Sequence, residues 1–124
     1  MRPKSPTLTP QELEIMKVVW PLGRATVRDV YEAVRARRPI AYTTVMTMMK
    51  IVERKGYLRK RRQGRAYVYR AAQPKNRVIR GMIREFIDRV FNGSAEPLLV
   101  QLVGTRRIRE KDLERIAEMI RQSK

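Results

Sequence analysis

A chain of 124 residues has room for one domain, or for one small domain with an appendage. Its 29 Lys and Arg against 12 Asp and Glu give a formal charge of +17 and a pI near 11.3, a balance that implies a polyanionic partner, nucleic acid ahead of a membrane surface. With no Cys and no His, disulfides, thiolate or imidazole metal sites, and Ser-His or Cys-His nucleophile pairs are all excluded.

The acids do not cluster convincingly either. Glu110, Asp112 and Glu114 come nearest, but alternate positions on a helix diverge. No catalytic residue, metal site or cofactor is therefore expected. No stretch approaches the roughly 18 apolar residues of a membrane span, and MRPKSPTLTP lacks the apolar core of a signal peptide. A cytoplasmic location is expected.

Residues 1–8 read as a flexible arm. Thr9-Pro10-Gln11-Glu12 is a helix start, with Thr as N-cap, Pro at the first position and Glu closing a capping box. Leu13, Met16, Val19 and Trp20 follow at helical spacing until Pro21-Leu22-Gly23 stops the helix. Thr26 to Asp29 is a second capping-box start, and Val27, Val30, Tyr31 and Val34 mark the buried side of a helix running to about Arg37. Pro39 breaks it.

Two residues later begins the stretch on which the functional reading turns, Ala41 to Gly56. Val45, Met48, Met49 and Val52 fall in one apolar arc, while Thr43, Thr47, Lys50 and Arg54 fall on the opposite side with no carboxylate among them. Hydroxyls can meet base edges or phosphates, and Lys and Arg suit guanine edges and phosphates. The short Arg38 to Ile40 connection makes the pair a helix-turn-helix whose second helix can enter a major groove. Tyr42, Thr44 and Met46 flank the reading row, and Thr26 and Arg28 are candidate phosphate contacts.

Gly56 ends this helix. The runs Tyr57–Arg62 and Arg65–Arg70 flank a turn signal at Gln63-Gly64, a hairpin in which Leu58 and Val68 are expected to reach the core. Nine Lys or Arg lie between Lys50 and Arg70 against the single acid Glu53. A basic hairpin after a helix-turn-helix is the wing of a winged helix, and Arg61, Arg62, Gln63 and Arg65 at its tip are expected over the DNA backbone or in a minor groove.

Ala71 to Lys75, with Pro74, reads as a hinge. Beyond it Val78, Ile79, Met82, Ile83, Phe86, Ile87, Val90 and Phe91 form a doubled apolar stripe. A short apolar helix through Leu98, Leu99 and Leu102 follows, then a last amphipathic helix marked by Leu113, Ile116 and Ile120. So short a segment has too little volume for a core of its own, so these faces are expected to pack against a second copy. The expected organisation is a winged-helix domain over 9–72 and a helical dimerisation domain over 73–124: mainly α with a small β-hairpin. Residues 1–70 carry 17 basic and 5 acidic side chains and residues 71–124 carry 12 and 7, so the first half is the DNA-facing one.

With these elements in order, the chain resembles the penicillinase-repressor family, BlaI/MecI-like, through LEIMKVVW (Leu13–Trp20), AYTTVMTMM (Ala41–Met49), GRAYVYR (Gly64–Arg70) and VFNGS (Val90–Ser94). The resemblance implies a homodimeric repressor on pseudo-palindromic operators, often of β-lactam-resistance or stress-response genes. It also implies a membrane sensor protease as partner. Where the penicillinase repressors carry a scissile Asn-Phe bond, this chain carries Gln101-Leu102, which does not match that protease's substrate. Copper-responsive relatives carry a Cys-rich C-terminal motif that is absent here. Against the operator-specific reading stands a non-specific nucleoid-associated or RNA-binding protein, which charge alone would satisfy. A purely protein-binding regulator would leave the basic wing unexplained.

Overall fold

The computed structural model describes residues 7–123, in the order α1 (Pro10–Leu22), β1 (Arg24–Ala25), α2 (Val27–Arg35), α3 (Tyr42–Arg54), β2 (Leu58–Gln63), β3 (Ala66–Ala71), α4 (Lys75–Phe91), α5 (Glu96–Gly104) and α6 (Glu110–Gln122). The chain divides into two compact units, one up to Met82 and one from Ile83 onward, so the division falls inside α4.

The helix starts follow from local chemistry. Thr9 caps α1 and Thr26 caps α2, each with a reciprocal capping box closed by Glu12 and Asp29. Gly23 caps the end of α1, its N–H donating to the Val19 carbonyl at 2.9 Å. Gly56 takes φ +94° behind α3; its N–H donates to the Glu53 carbonyl and that of Tyr57 to Val52. This paired closure is the Schellman arrangement, which needs a residue free to adopt a left-handed conformation.

The first unit is built around Ile15, Met16, Val19, Val30, Val34, Val45, Met49 and Val52, all essentially inaccessible. The expected apolar arc of α3 is buried as read. Ile15, which the sequence reading passed over, is among the largest fully buried side chains. Leu8 also belongs to this core, and Lys55 Nζ donates to the Thr7 carbonyl at 3.1 Å. The arm expected over residues 1–8 therefore loses Leu8 to the core, while residues 1–6 lie outside the described residues.

The sheet has the order β1-β3-β2, all antiparallel. Its first strand, a two-residue pairing of Arg24 with Arg70 and Ala25 with Tyr69, was not expected from sequence. The hairpin turn is Gly64-Arg65, one residue later than the Gln63-Gly64 signal, since Gln63 pairs with Ala66. Gly64 has φ +65° while Arg65 stays in the ordinary region, as in a type II′ turn. In this register Leu58, Lys60 and Arg62 share a face with Ala71, Tyr69 and Tyr67. Tyr69, not Val68, is thus the buried partner of Leu58; Val68 stands on the opposite face beside Arg59 and Arg61.

The segment expected to hinge is held. Trp20 Nε1 donates to the Gln73 carbonyl at 3.1 Å, Gln73 Nε2 to the Gly56 carbonyl at 3.2 Å, and the Ala72 N–H to the Tyr57 carbonyl at 2.8 Å. The first turns of α4 belong to the same core, with Val78 buried and Met82 packed partly buried against it.

In the second unit no described side chain is buried. Ile83, Phe86 and Val90 on α4, Leu99, Val100 and Val103 on α5, and Ile116, Met119 and Ile120 on α6 are exposed. Ile87, Phe91, Leu98, Leu102 and Leu113 are half-buried. Phe86 and Phe91 meet edge-to-face at 5.9 Å.

Candidate nucleic-acid interface

The helix α3 is two-sided because its buried arc is anchored in the core, which leaves Tyr42, Thr43, Thr44, Thr47, Lys50 and Arg54 exposed and Met46 half-buried at the border. Ala41, at its N-cap, supplies no side-chain hydrogen bond. The Thr44 N–H turns back to the Ala41 carbonyl at 3.1 Å, which leaves the N–H groups of Tyr42 and Thr43 to donate to an incoming oxyanion, as the helix dipole favours. Lys50 and Arg54 have no ion-pair partner among the described residues, so no internal contact competes for them.

Facing α3 across a cleft of about 540 Å³ is the hairpin. The cleft is lined by Thr26, Arg28, Tyr42, Met46, Lys50, Lys60, Arg65 and Tyr67 together with Val27, Ala66 and Tyr69, and no carboxylate is among them. Lys60 and Tyr67 were missed in the sequence reading. The Lys60 ammonium stands 4.6 Å from the Tyr67 ring centroid and 3.6 Å from the Glu53 carboxylate on α3. The signal for them was strand parity, since any two-residue turn in this hairpin puts Lys60 and Tyr67 on the face they share with Leu58.

At the base of the cleft Thr26 is already occupied as an N-cap, its hydroxyl accepting from the Asp29 N–H at 3.1 Å; the hydroxyl proton remains available to a phosphate. Arg28 lies 5.9 Å from the Tyr42 ring centroid and pairs with exposed Glu32 at 3.3 Å. Tyr42 in turn meets Tyr31 edge-to-face at 5.4 Å, which fixes the ring at the entrance to α3.

The four wing-tip candidates do not act as one set. Arg62 lies on the cleft side, where its Nε donates to the Gly64 carbonyl at 3.2 Å, and Arg65 lines the cleft from the turn. Arg61 and Gln63 lie on the other sheet face.

Two ion pairs hold α3 in place from α1. Lys55 Nζ meets Glu12 Oε1 at 2.7 Å, and Arg38 reaches Glu14 through Nε at 3.2 Å and a second nitrogen at 2.7 Å. Burial pushes the Glu12 carboxyl up, but the Lys55 ammonium and the Thr9 N–H and hydroxyl outweigh it and hold it below its usual range. Hydrogen bonding from Arg38 holds Glu14 low in the same way. Among the described residues no group of acids could hold a metal ion, and no helix is long and apolar enough to cross a membrane.

Comparison with known proteins bears on the fold and the family. The penicillinase repressor of Bacillus licheniformis is 22% identical over 121 residues, covering 98% of this chain and 94% of that protein. The solution structure of the DNA-binding domain of the repressor BlaI superposes with a TM-score of 0.53 at 27% identity, over 60% of this chain and 90% of that one. The B. licheniformis BlaI monomeric form in complex with the blaP half-operator gives 0.51 at 27% identity, over 59% and 89%. The family model for the penicillinase repressor matches residues 8–122, and the chain belongs to that family.

Proposed function

We propose that this protein is a homodimeric, sequence-specific transcriptional repressor that binds a pseudo-palindromic operator in double-stranded DNA, controlling β-lactam-resistance or stress-response genes. One observation carries the reading: α3 presents Thr43, Thr47, Lys50 and Arg54 as an exposed, carboxylate-free row on a helix whose other side is core. Thr47 and Thr43 read base edges, with Lys50 and Arg54 on guanine edges or phosphates. Tyr42, Thr44 and Met46 line the groove wall, and Thr26 and Arg28 hold the backbone. From the wing, Arg62 and Arg65 reach the backbone or the minor groove beside α3. That the B. licheniformis relative forms a complex with a half-operator supports DNA as the partner.

The second copy is called for by the uncovered apolar side chains of the second unit, with Ile83, Phe86, Val90, Leu99, Ile116 and Ile120 at the centre of the contact. Ile79, Ile87, Phe91, Leu98, Leu102 and Leu113 back them. Such a protein performs no catalysis, needs no cofactor and acts where the chromosome is, in the cytoplasm.

Selection of binding sites from random DNA by the full-length protein tests the reading. A two-fold-symmetric consensus, bound at least about 1,000-fold more tightly than random duplex, is the expected result. A ratio near one would favour the non-specific nucleoid or RNA-binding alternative.

A further inference from the structure

The sheet carries a second cationic surface that the cleft does not use. Arg24 pairs with Arg70 and Arg70 with Arg59, so one lateral row of the sheet, strand by strand, is three arginines abreast. Adjacent strands lie about 4.8 Å apart, so the row spans roughly 10 Å. All three side chains are exposed, and none has an ion-pair partner among the described residues. Arg61, two positions along β2, is on the same face, and a shallow depression lies between Arg24, Arg61, Gln63, Val68 and Arg70. Like charges directly opposite one another destabilise a sheet. No carboxylate of the sheet relieves them; Glu53 is engaged on the other face, by Lys60. An external polyanion would.

This face is turned away from α3. The opposite face carries Leu58 and Tyr69 into the core and Lys60 toward α3. A duplex seated on α3 and the cleft side of the hairpin therefore lies on the other side of the sheet from the arginine row. The row is also set back from the turn by four residues of β2, or roughly 13 Å. Duplex DNA, with a persistence length of about 150 base pairs, does not fold round a hairpin at that scale without a large bending cost.

We propose that Arg24, Arg59 and Arg70, with Arg61 beside them, form a second phosphate-binding face that holds the backbone of a second DNA segment, so that an operator-bound repressor tethers another duplex. The proposal rests on the operator reading above for what occupies the first face.

The test uses the full-length protein bound to saturation on a bead-bound operator duplex, with a labelled random-sequence duplex added. Wild type and the triple variant R24Q/R59Q/R70Q are compared across a salt series. The variant is expected to keep operator affinity within about two-fold while capturing the second duplex at least about ten-fold more weakly, its salt slope for capture flattened by about three units. The triple Lys variant, which keeps the charges, restores capture, and unchanged thermal melting shows that each variant is folded. Equal capture by wild type and the Gln variant overturns the proposal. So does a loss of operator affinity by the same factor as capture, which would put the row on the operator itself. Capture of a structured RNA in place of the duplex also overturns it. Absence of operator preference in wild type defeats the operator reading alone, and the two proteins are then compared on random-sequence beads.

Discussion

Glu12, the third residue of α1, and Lys55, the residue that caps the end of α3, are joined by a 2.7 Å ion pair in which both side chains are largely withdrawn from solvent. Lys55 also donates to the Thr7 carbonyl. At the other end of α3, Arg38 in the connecting turn grips Glu14. Two carboxylates two residues apart on α1 thus hold α3 from before its start and after its end. The position of the exposed Thr43, Thr47, Lys50 and Arg54 row is set by ion pairs that lie outside that row.

Breaking the first of these pairs should destabilise the fold rather than alter specificity. Lys55→Met leaves Glu12 without its cation and is expected to cost about 2 kcal/mol, as for hydrogen bonds to charged groups. Urea unfolding measures it. A midpoint unchanged from wild type would show that the pair contributes nothing.

The same pairs set an acid limit. Glu12 and Glu14 both titrate below their ordinary value of 4.5 in the fold. A carboxyl whose folded value is depressed contributes stability above its unfolded value and loses it as pH falls through the folded one. Stability should therefore be flat with respect to these groups near neutrality and decline as pH drops below about 4.5. In Glu12→Gln the decline should be shallower. A steeper one would contradict the assignment.

On the reading face, Thr47→Val and Thr43→Val each remove a hydroxyl and leave shape and charge in place. Each should weaken binding to the preferred operator by about 1–3 kcal/mol and binding to random DNA far less. Identical consensus sequences from both variants and wild type would place base reading elsewhere. The wing predicts the converse. Arg62→Gln with Arg65→Gln should weaken binding to all sequences and flatten the salt dependence by about two units of slope.

The boundary inside α4 makes a prediction about fragments. A chain ending at Met82 keeps Val78 in the core and the Trp20–Gln73 hydrogen bond, and should be a folded monomer. A chain ending at Arg70 loses both, and burial of Val78 alone is worth about 1.5 kcal/mol or more. Circular dichroism melts should separate the two fragments. In the full chain, Phe86→Glu is expected to yield monomers in sedimentation, since Phe86 is exposed on its own chain and would be charged at the centre of the contact.

The Gln101-Leu102 bond should survive a sensor protease that demands Asn-Phe. It lies within α5, where the backbone is hydrogen-bonded rather than extended. Mass spectrometry after co-expression with such a protease should find the chain intact, and a cut there would refute the expectation.

Much of this was legible from residue order because the signals are local. The Thr9 and Thr26 caps, the apolar arc of α3 and the Gly56 stop each need only a few neighbouring residues to specify them. What was not legible depends on pairing at a distance. Strand β1 is two residues long and exists only because Arg24 and Ala25 meet β3. The exchange of Val68 for Tyr69 in the core follows from hairpin register, which hydrophobicity alone misassigned. The run of cations from Lys50 to Arg70 looked uniform, yet Lys55 and Lys60 are consumed by Glu12 and Glu53, while Arg59 and Arg70 face away from α3. Charge counting cannot sort such a run; strand parity can.

Trp20 is the only tryptophan in the chain, and its indole N–H is bonded to the Gln73 carbonyl just ahead of α4. Its emission is therefore a built-in optical gauge of whether that segment stays docked. Excitation of the tryptophan alone should show a shift to longer wavelength whenever the start of α4 lifts from α1, with no dye or label attached. DNA titrations followed in this way would time any such movement against binding.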